Sequence, residues 1–179
     1  MEPKRPFERL PDMKSVPEAR APLSETSADD AFHDLYAAAY RRMVMLAFTT
    51  TRSVAVSEEL VQDAFIALYR SWDKVEDPVA WLRRTVVNLS ISWLRRHLRQ
   101  SRADPVPLVQ QDAAEAVALR SLLSVLRPRQ RVAVTLRYYE GLSEQQIADV
   151  LGCRPGTVKS LLSRSMVKLQ EELRHVQSL

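Results

Sequence analysis

Apolar residues recur along most of the chain at steps of three and four, the spacing of amphipathic helices. From about Asp30 this pattern is carried by Phe32, Leu35, Tyr36, Ala39, Met43 and Leu46. It resumes after Ser57, a predicted N-cap with acids in the first turn, and again from Pro78 to about Arg99. No segment alternates between apolar and polar residues for long enough to predict a strand. The pattern therefore predicts an all-α fold.

The helical pattern is interrupted at two places. Residues 1–27 hold five of the ten prolines and no apolar periodicity, which predicts a disordered N-terminal tail. Residues 101–111 contain two prolines and little pattern, which predicts a flexible linker. These interruptions favour two small helical domains, at residues 28–100 and 112–176, each with a modest core.

Helix signals in the second predicted domain are strong. Asp112 can cap a helix that runs to about Leu126, and Pro128 suits the first turn of the next helix. Ser143 and Gln146 match a capping box, in which a serine and a glutamine three residues later satisfy each other's backbone amides. A short helix over about residues 143–151 follows from that match.

The last two helices match a helix-turn-helix. Gly152 follows the short helix, where a left-handed residue ends a helix, and Pro155 begins a helix that runs to about residue 174. No acid occurs between Asp149 and Glu171. The polar residues in the first half of the helix that begins at Pro155 are types that contact phosphates and base edges in the major groove. They are Thr157, Lys159, Ser160, Ser163 and Arg164, with Arg154 just before the helix. The alternative is a solvated basic face on a structural helix.

An arginine-rich helix is predicted at the end of the first domain. One stripe carries Arg84, Asn88, Ser92 and Arg95, a set suited to phosphates and to exposed bases. The tryptophans of this helix can either stack on an unpaired base or pack in the core. For Trp93 the core interpretation is favoured, and for Trp81 both remain open.

A helix with an acidic face precedes the arginine-rich helix. Glu59, Gln62 and Asp63 lie on one face, which Ile66 completes. Paired carboxylates can act in general acid-base catalysis, but the sequence supplies no nucleophile, metal cluster or second catalytic group. A face for a basic protein partner, or a plain solvated face, is therefore favoured over an enzyme site.

Charge and composition narrow the function further. The net charge of +4 hides −4 over residues 28–77, +6 over 78–102 and +3 over 151–179, which indicates partners of different charge. A single cysteine, Cys153, excludes an intramolecular disulfide and favours a reducing, cytoplasmic location. Metal-ligand clusters, glycine-rich phosphate loops, membrane spans and a secretory signal are all missing from the sequence. We predict no metal, no cofactor and no membrane insertion.

Four motifs, in this order, resemble the extracytoplasmic-function (ECF) sigma factors, the compact two-domain members of the bacterial sigma-70 family. The resemblance covers about residues 30–174. Residues 59–65 (ELVQDAF) are similar to region 2.2, and residues 81–96 to regions 2.3–2.4. Residues 126–143 resemble the opening of region 4, and residues 156–160 (GTVKS) the start of its recognition helix.

The resemblance implies a promoter-specificity subunit of RNA polymerase and not an enzyme. Glu59, Gln62 and Asp63 would contact the β′ clamp helices of core polymerase. The β flap of the polymerase would be a second contact. The melted −10 strand would be read by Trp81, Arg84, Asn88 and Arg95, beside a base pocket at residues 73–79. The −35 duplex would be contacted by Arg154, Thr157, Lys159, Ser160, Ser163 and Arg164.

Two further implications concern partners. The linker would thread toward the polymerase active centre, and an anti-sigma factor can hold the two domains occluded, although no residue identifies one.

Leu161 departs from the family pattern, because an arginine is common there. The competing hypotheses are a stand-alone helix-turn-helix regulator and a protein-interaction adaptor.

Overall fold

A computed structural model of the chain describes residues 25–100 and 123–177. Within these residues the backbone forms α-helices and no strand, so the predicted all-α fold is confirmed. The helices with described bounds are α1 (Glu25–Thr51), α2 (Val54–Tyr69), α3 (Pro78–Gln100), α4 (Pro128–Tyr138), α5 (Glu144–Leu151) and α6 (Pro155–Gln177), with a 3₁₀ turn at Trp72–Lys74. The predicted tail up to residue 24, the predicted linker at 101–111 and Asp112 lie outside the described residues.

The first three helices pack against one another. The apolar stripe of α1 supplies Met43 and Leu46 to the core, α2 supplies Leu68, and α3 supplies Leu82 and Val86, all almost completely buried. Helix α1 starts at Glu25, before the expected start near Asp30, so residues 25–27 are helical and not part of a tail. Helix α3 starts at Pro78, as predicted, because proline's fixed φ suits the first turn.

The N-cap of α2 is Ser53, so the prediction of Ser57 is wrong. The Ser53 hydroxyl accepts from the Val56 amide at 3.4 Å, and α2 starts at Val54, one turn earlier than expected. Ser57 lies inside the helix, buried, where its hydroxyl is 2.7 Å from the Thr51 hydroxyl and donates to the Ser53 carbonyl at 2.6 Å. Both serines precede acids and apolar residues, so the local sequence does not show which one is the N-cap. The tertiary contact of Ser57 with Thr51 places Ser57 inside the helix and leaves Ser53 as the cap.

Helices α4, α5 and α6 form a second group, and its predicted end signals are confirmed. The Ser143 hydroxyl accepts from the Gln146 amide at 3.2 Å, and the Gln146 side chain accepts from the Ser143 amide at 2.9 Å. Gly152 has φ +59 and ψ +47, the left-handed conformation that glycine adopts without strain. After the short turn at residues 152–154, α6 begins at Pro155. Helices α5 and α6 are thus a helix-turn-helix.

The two groups of helices also contact each other, α1 with α4 and α3 with α5. Their buried apolar residues form one continuous cluster, which runs from Met43 and Leu82 on one side to Leu136, Ile147 and Val158 on the other. The separation between the candidate surfaces is therefore fixed by this packing.

Candidate nucleic-acid and protein interfaces

The first half of α6 presents its polar residues outward. Thr157, Lys159, Ser163 and Arg164 are exposed, and Ser160 is half-buried. Val158 and Leu162 face inward and anchor the helix, so the polar residues lie on the opposite side. The Ser160 hydroxyl donates to the Gly156 carbonyl at 2.9 Å, which leaves its oxygen as an acceptor toward a ligand.

Arg154 caps α6 through its backbone. Its carbonyl accepts from the Thr157 amide at 2.9 Å and from the Val158 amide at 3.3 Å, while the side chain is exposed. The guanidinium therefore extends the basic surface of α6 at the helix N-terminus, where anions are favoured. Leu161 is half-buried and packs against the core, so an arginine at this position would replace a packing residue.

The polar stripe of α3 is likewise exposed. Arg84, Asn88 and Arg95 are exposed and lie four and seven residues apart, on one side of the helix. At 1.5 Å per residue the stripe is about 17 Å long. Leu82 and Val86 hold the opposite face in the core.

The loop before α3 is tied to the helix by Asp77. The Asp77 carboxylate accepts from the Ala80 amide at 2.9 Å, and the Asp77 carbonyl accepts from the Trp81 amide at 3.0 Å. Sequence reasoning placed this residue in the base pocket without recognising it as a cap. Asp73, Lys74 and Glu76 are exposed in the same loop, and Val75 is buried beneath them.

The tryptophans of α3 differ from each other. Trp81 is half-buried and packs against the core. Trp93 is half-buried and is not one of the fully buried core residues. Its ring stacks on His97, with centroids 4.8 Å apart and planes 8° apart. Arg95 and Leu98, which follow it on the helix, are exposed.

The acidic face of α2 is exposed next to an aromatic groove. Glu59 and Gln62 are exposed and Asp63 is half-buried. Burial raises the pKa of the Tyr40 hydroxyl, and a hydrogen bond with Gln62 opposes that rise. Gln62 therefore lies against α1, and its outward presentation is set partly by Tyr40.

Sequence reasoning missed that groove. It has a volume of about 530 Å³ and is lined by Phe32, Tyr36, Gln62, Phe65, Ile66, Tyr69 and Arg70. The periodicity of α1 assigned Phe32 and Tyr36 to the core, whereas Tyr36 is 37% exposed and Phe32 is half-buried. In the sequence, the signal that the acidic face of α2 is partly apolar was Ile66, which the structure shows to be exposed.

The described residues contain neither a metal-binding cluster nor a membrane-spanning helix. Within residues 25–100 and 123–177, no three His, Cys, Asp or Glu side chains are placed to share a metal ion. Among the helices that the structure describes, none has the length and apolar character to cross a membrane.

Comparison with known proteins identifies the family. The model "Sigma-70 region 2" matches residues 34–100, and "Sigma-70, region 4" matches residues 116–169. A sigma-E factor of Streptomyces coelicolor is 38% identical over 126 residues, covering 65% of this chain and 71% of that protein. The ECF sigma factor SigM of Mycobacterium tuberculosis is 31% identical over 147 residues, covering 78% of this chain and 75% of that protein. The chain belongs to the ECF sigma factors of the sigma-70 family.

Two solved structures support the same assignment for this sigma factor. The sigma factor RpoE from Bartonella quintana, determined in complex with the anti-sigma factor NepR, is 25% identical with a TM-score of 0.69 and covers 81% of this chain and 98% of its own. CnrH, determined in complex with the cytosolic domain of CnrY, is 25% identical with a TM-score of 0.64 and covers 82% of this chain and 90% of its own. Sigma factors bind core RNA polymerase and promoter DNA, and the stand-alone regulator is not favoured.

In this sigma factor a buried carboxylate joins the region 2 and region 4 helices. The Glu140 side chain, just after α4, is completely buried. Arg42 of α1 approaches it with two nitrogens, Nε to Oε1 at 3.1 Å and Nη2 to Oε2 at 2.9 Å. Arg83 of α3 donates from Nε to Oε2 at 2.8 Å. The Arg83 side chain is only 15% exposed and faces region 4, whereas its neighbour Arg84 lies on the exposed stripe of α3.

A second polar contact joins the two regions. Arg131 of α4 donates from Nε to the Thr49 carbonyl at 2.7 Å and from Nη1 to the Leu126 carbonyl at 3.1 Å. Thr49 lies in the last turn of α1, where carbonyls lack partners within the helix. Burial lowers the pKa of the Arg131 guanidinium below its ordinary value, and the charge of Arg52 adds to that effect.

Proposed function

We propose that this sigma factor divides promoter recognition between two exposed basic surfaces, one on α6 and one on α3, and uses the α2 face for core polymerase. The observation that carries the proposal is the placement of these surfaces on three different helices, each anchored by its own buried residues. The corresponding domains are residues 28–100 and 112–176. The spans matched by the two family models, 34–100 and 116–169, support this division.

The −35 duplex is the ligand proposed for the α6 surface. Lys159 and Arg164 have the chemistry for guanine edges and phosphates, and Ser160, Ser163 and Thr157 can contact either. Arg154 adds a phosphate contact at the helix N-terminus. The support is that the N-terminal half of a second helix-turn-helix helix is the part that meets the bases, and here that half is exposed and without acids.

The melted −10 strand is the ligand proposed for the α3 surface. Arg84 and Arg95 would neutralise phosphates along the strand, and Asn88 would bond an exposed base. The exposed part of the Trp81 ring would form one side of the proposed base pocket at residues 73–79. The support is the exposure of the stripe together with the loop that Asp77 ties to it.

The α2 face is proposed to bind the β′ clamp helices. Glu59, Gln62 and Asp63 supply its polar part, and Ile66 with the neighbouring aromatic groove supplies apolar area. Charged groups at such an interface steer association, whereas buried apolar and aromatic area supplies most of the affinity. We therefore assign the polymerase contact to both parts of this face.

The remaining assignments follow from the family. The chain itself performs no catalysis and acts in the cytoplasm, where the polymerase is. Since RpoE and CnrH were each solved with a binding protein, an anti-sigma factor is a further partner we propose for this chain.

The decisive experiment is reconstituted transcription. The full chain is added to purified bacterial core RNA polymerase with a library of genomic promoter fragments, and start sites are sequenced. We expect initiation at a subset of promoters that share −35 and −10 sequences. Absence of both core binding and specific initiation would overturn the proposal, and promoter binding without core polymerase would favour the stand-alone regulator.

A further inference from the structure

Three aromatic rings of region 2 surround the ring of Phe32. The Phe32 centroid lies 5.0 Å from that of Tyr69, 5.4 Å from that of Trp72 and 6.1 Å from that of Phe65, and the rings of each pair meet edge to face. Ring pairs in this geometry stabilise a structure beyond the apolar area that they bury. The Tyr69 hydroxyl also donates to the Asp29 carboxylate at 3.1 Å, which ties the end of α2 to the start of α1. Phe32 therefore connects α1 both to α2 and to the turn that follows α2.

The contact between Phe32 and Trp72 bears on the loop before α3. Trp72 is the first residue of the 3₁₀ turn Trp72–Lys74, and the proposed base pocket at residues 73–79 begins at the next position. The Trp72 carbonyl accepts from the Val75 amide at 3.3 Å, so the backbone of the turn closes onto Trp72 itself. A displacement of the Trp72 ring would therefore carry the first residues of the pocket with it.

The two halves of this loop are anchored differently. Val75 is buried in the core, and the Asp77 carboxylate accepts from an α3 amide, so the second half of the loop is fixed at two points. The first half, where Asp73 is exposed, is fixed through Trp72, whose half-buried ring packs against Phe32 and against the core. The Phe32 ring thus supports the half of the loop that has fewer anchors of its own.

We propose that Phe32 is a positioning residue for the −10 base pocket. Its ring holds Trp72, and Trp72 holds the first half of the loop at residues 73–79 where a flipped base enters. Phe32 acts in this role without touching DNA, and it lies before the span of residues 34–100 that the region 2 model matches. This inference rests on the proposed binding of the melted −10 strand by α3 and this loop.

The test compares a complete single-stranded −10 oligonucleotide with one that has an abasic site at the base that enters the pocket. That position is the one at which an abasic site costs the wild-type holoenzyme most affinity. Phe32→Leu should weaken binding of the complete oligonucleotide about twofold to tenfold, the range that one edge-to-face ring pair supplies. It should leave the affinity for the abasic oligonucleotide unchanged. Core polymerase is kept in excess, because Phe32 also lines the groove on the α2 face.

A second variant removes the same ring pair from the other side. Trp72 is not one of the residues that line the groove, so Trp72→Leu leaves the lining of the polymerase face in place. We expect the same selective loss of affinity for the complete oligonucleotide. The double variant should lose no more than the larger of the two single losses, because the ring pair is already gone in each. Additive losses would show that the two rings act separately and would overturn the proposal.

Two controls separate positioning from stability. Phe32→Tyr keeps the ring and should bind both oligonucleotides as wild type does, whereas Phe48→Leu makes the leucine change at a half-buried phenylalanine near the other end of α1 and should leave the ratio of the two affinities unchanged. Equal weakening of both oligonucleotides by Phe32→Leu would mean that Phe32 only stabilises the fold, and would overturn this inference alone. If no abasic position lowers the affinity of the wild-type holoenzyme, the chain has no base pocket and the proposed function itself fails.

Discussion

Replacing Lys159 and Arg164 by alanine should change how salt affects promoter binding. Both side chains are exposed on the first half of α6, and neither is needed for its packing. Each phosphate neutralised by a cation contributes about −0.9 to the slope of log affinity against log salt. If each residue neutralises one phosphate, the double variant has a slope shallower by about 1.8. Over a fourfold rise in salt, from 50 to 200 mM, the wild-type advantage should shrink about tenfold.

The assay is equilibrium binding of holoenzyme to a labelled promoter fragment across that salt range. Arg174→Ala is the matched control, since it removes an exposed positive charge from the far half of the same helix. We expect core binding of the double variant to be unchanged. A slope equal to that of the control, or loss of core binding, would refute the assignment of α6 to the −35 duplex.

Three further predictions test other parts of the molecule. Asp63→Arg should lower the affinity for core polymerase at least tenfold by placing a positive charge on the α2 face, whereas Glu171→Arg should not; equal affinities in a pull-down titration would contradict that face. Gly152→Ala should lower the free energy of unfolding by about 1 kcal/mol, because the φ of Gly152 is +59. Gly156 has an ordinary φ and open space where a Cβ would lie, so Gly156→Ala should leave the free energy of unfolding unchanged or raise it by up to about 1 kcal/mol. Equal effects of the two variants in urea unfolding would refute this account. Arg84→Ala should weaken holoenzyme binding to a single-stranded −10 oligonucleotide by about tenfold and spare a −35 duplex; loss of both would point to a folding defect.

Local signals in the sequence were enough to locate the helix ends of region 4. The capping box at Ser143, the left-handed Gly152 and the helix start at Pro155 each depend on residues a few positions apart, so their chemistry can be recognised in the sequence alone. The choice between Ser53 and Ser57 could not be made that way. It is decided by the buried contact of Ser57 with Thr51, which is part of how α1 and α2 meet.

Contacts between distant segments were beyond sequence reasoning. Glu140 lies 98 residues from Arg42 and 57 from Arg83. Nothing in the periodicity of any helix indicates which arginine turns toward a partner and which toward solvent. Arg83 and Arg84 are neighbours with identical side chains, yet Arg83 donates to the buried Glu140 carboxylate and Arg84 is exposed. Only the packing of α3 against region 4 distinguishes them.

The aromatic groove shows a related difficulty. Tyr36 follows the apolar stripe of α1, but a tyrosine at the border of a stripe can present its edge to solvent. Its ring lies 4.8 Å from that of Phe65, so the groove is built from rings on two helices. A pattern read along one helix could identify the stripe but not its border.

The cap at Asp77 bears on the entropy of promoter melting. Two backbone amides of α3, those of Ala80 and Trp81, are bonded to this one residue, so the point where the loop meets the helix is ordered before any ligand binds. A binding site that is already ordered pays little conformational entropy when its ligand arrives. If a flipped base enters between this loop and Trp81, almost all of the lost freedom belongs to the DNA strand. The ease with which a given −10 sequence unstacks would then set the rate at which this sigma factor opens it.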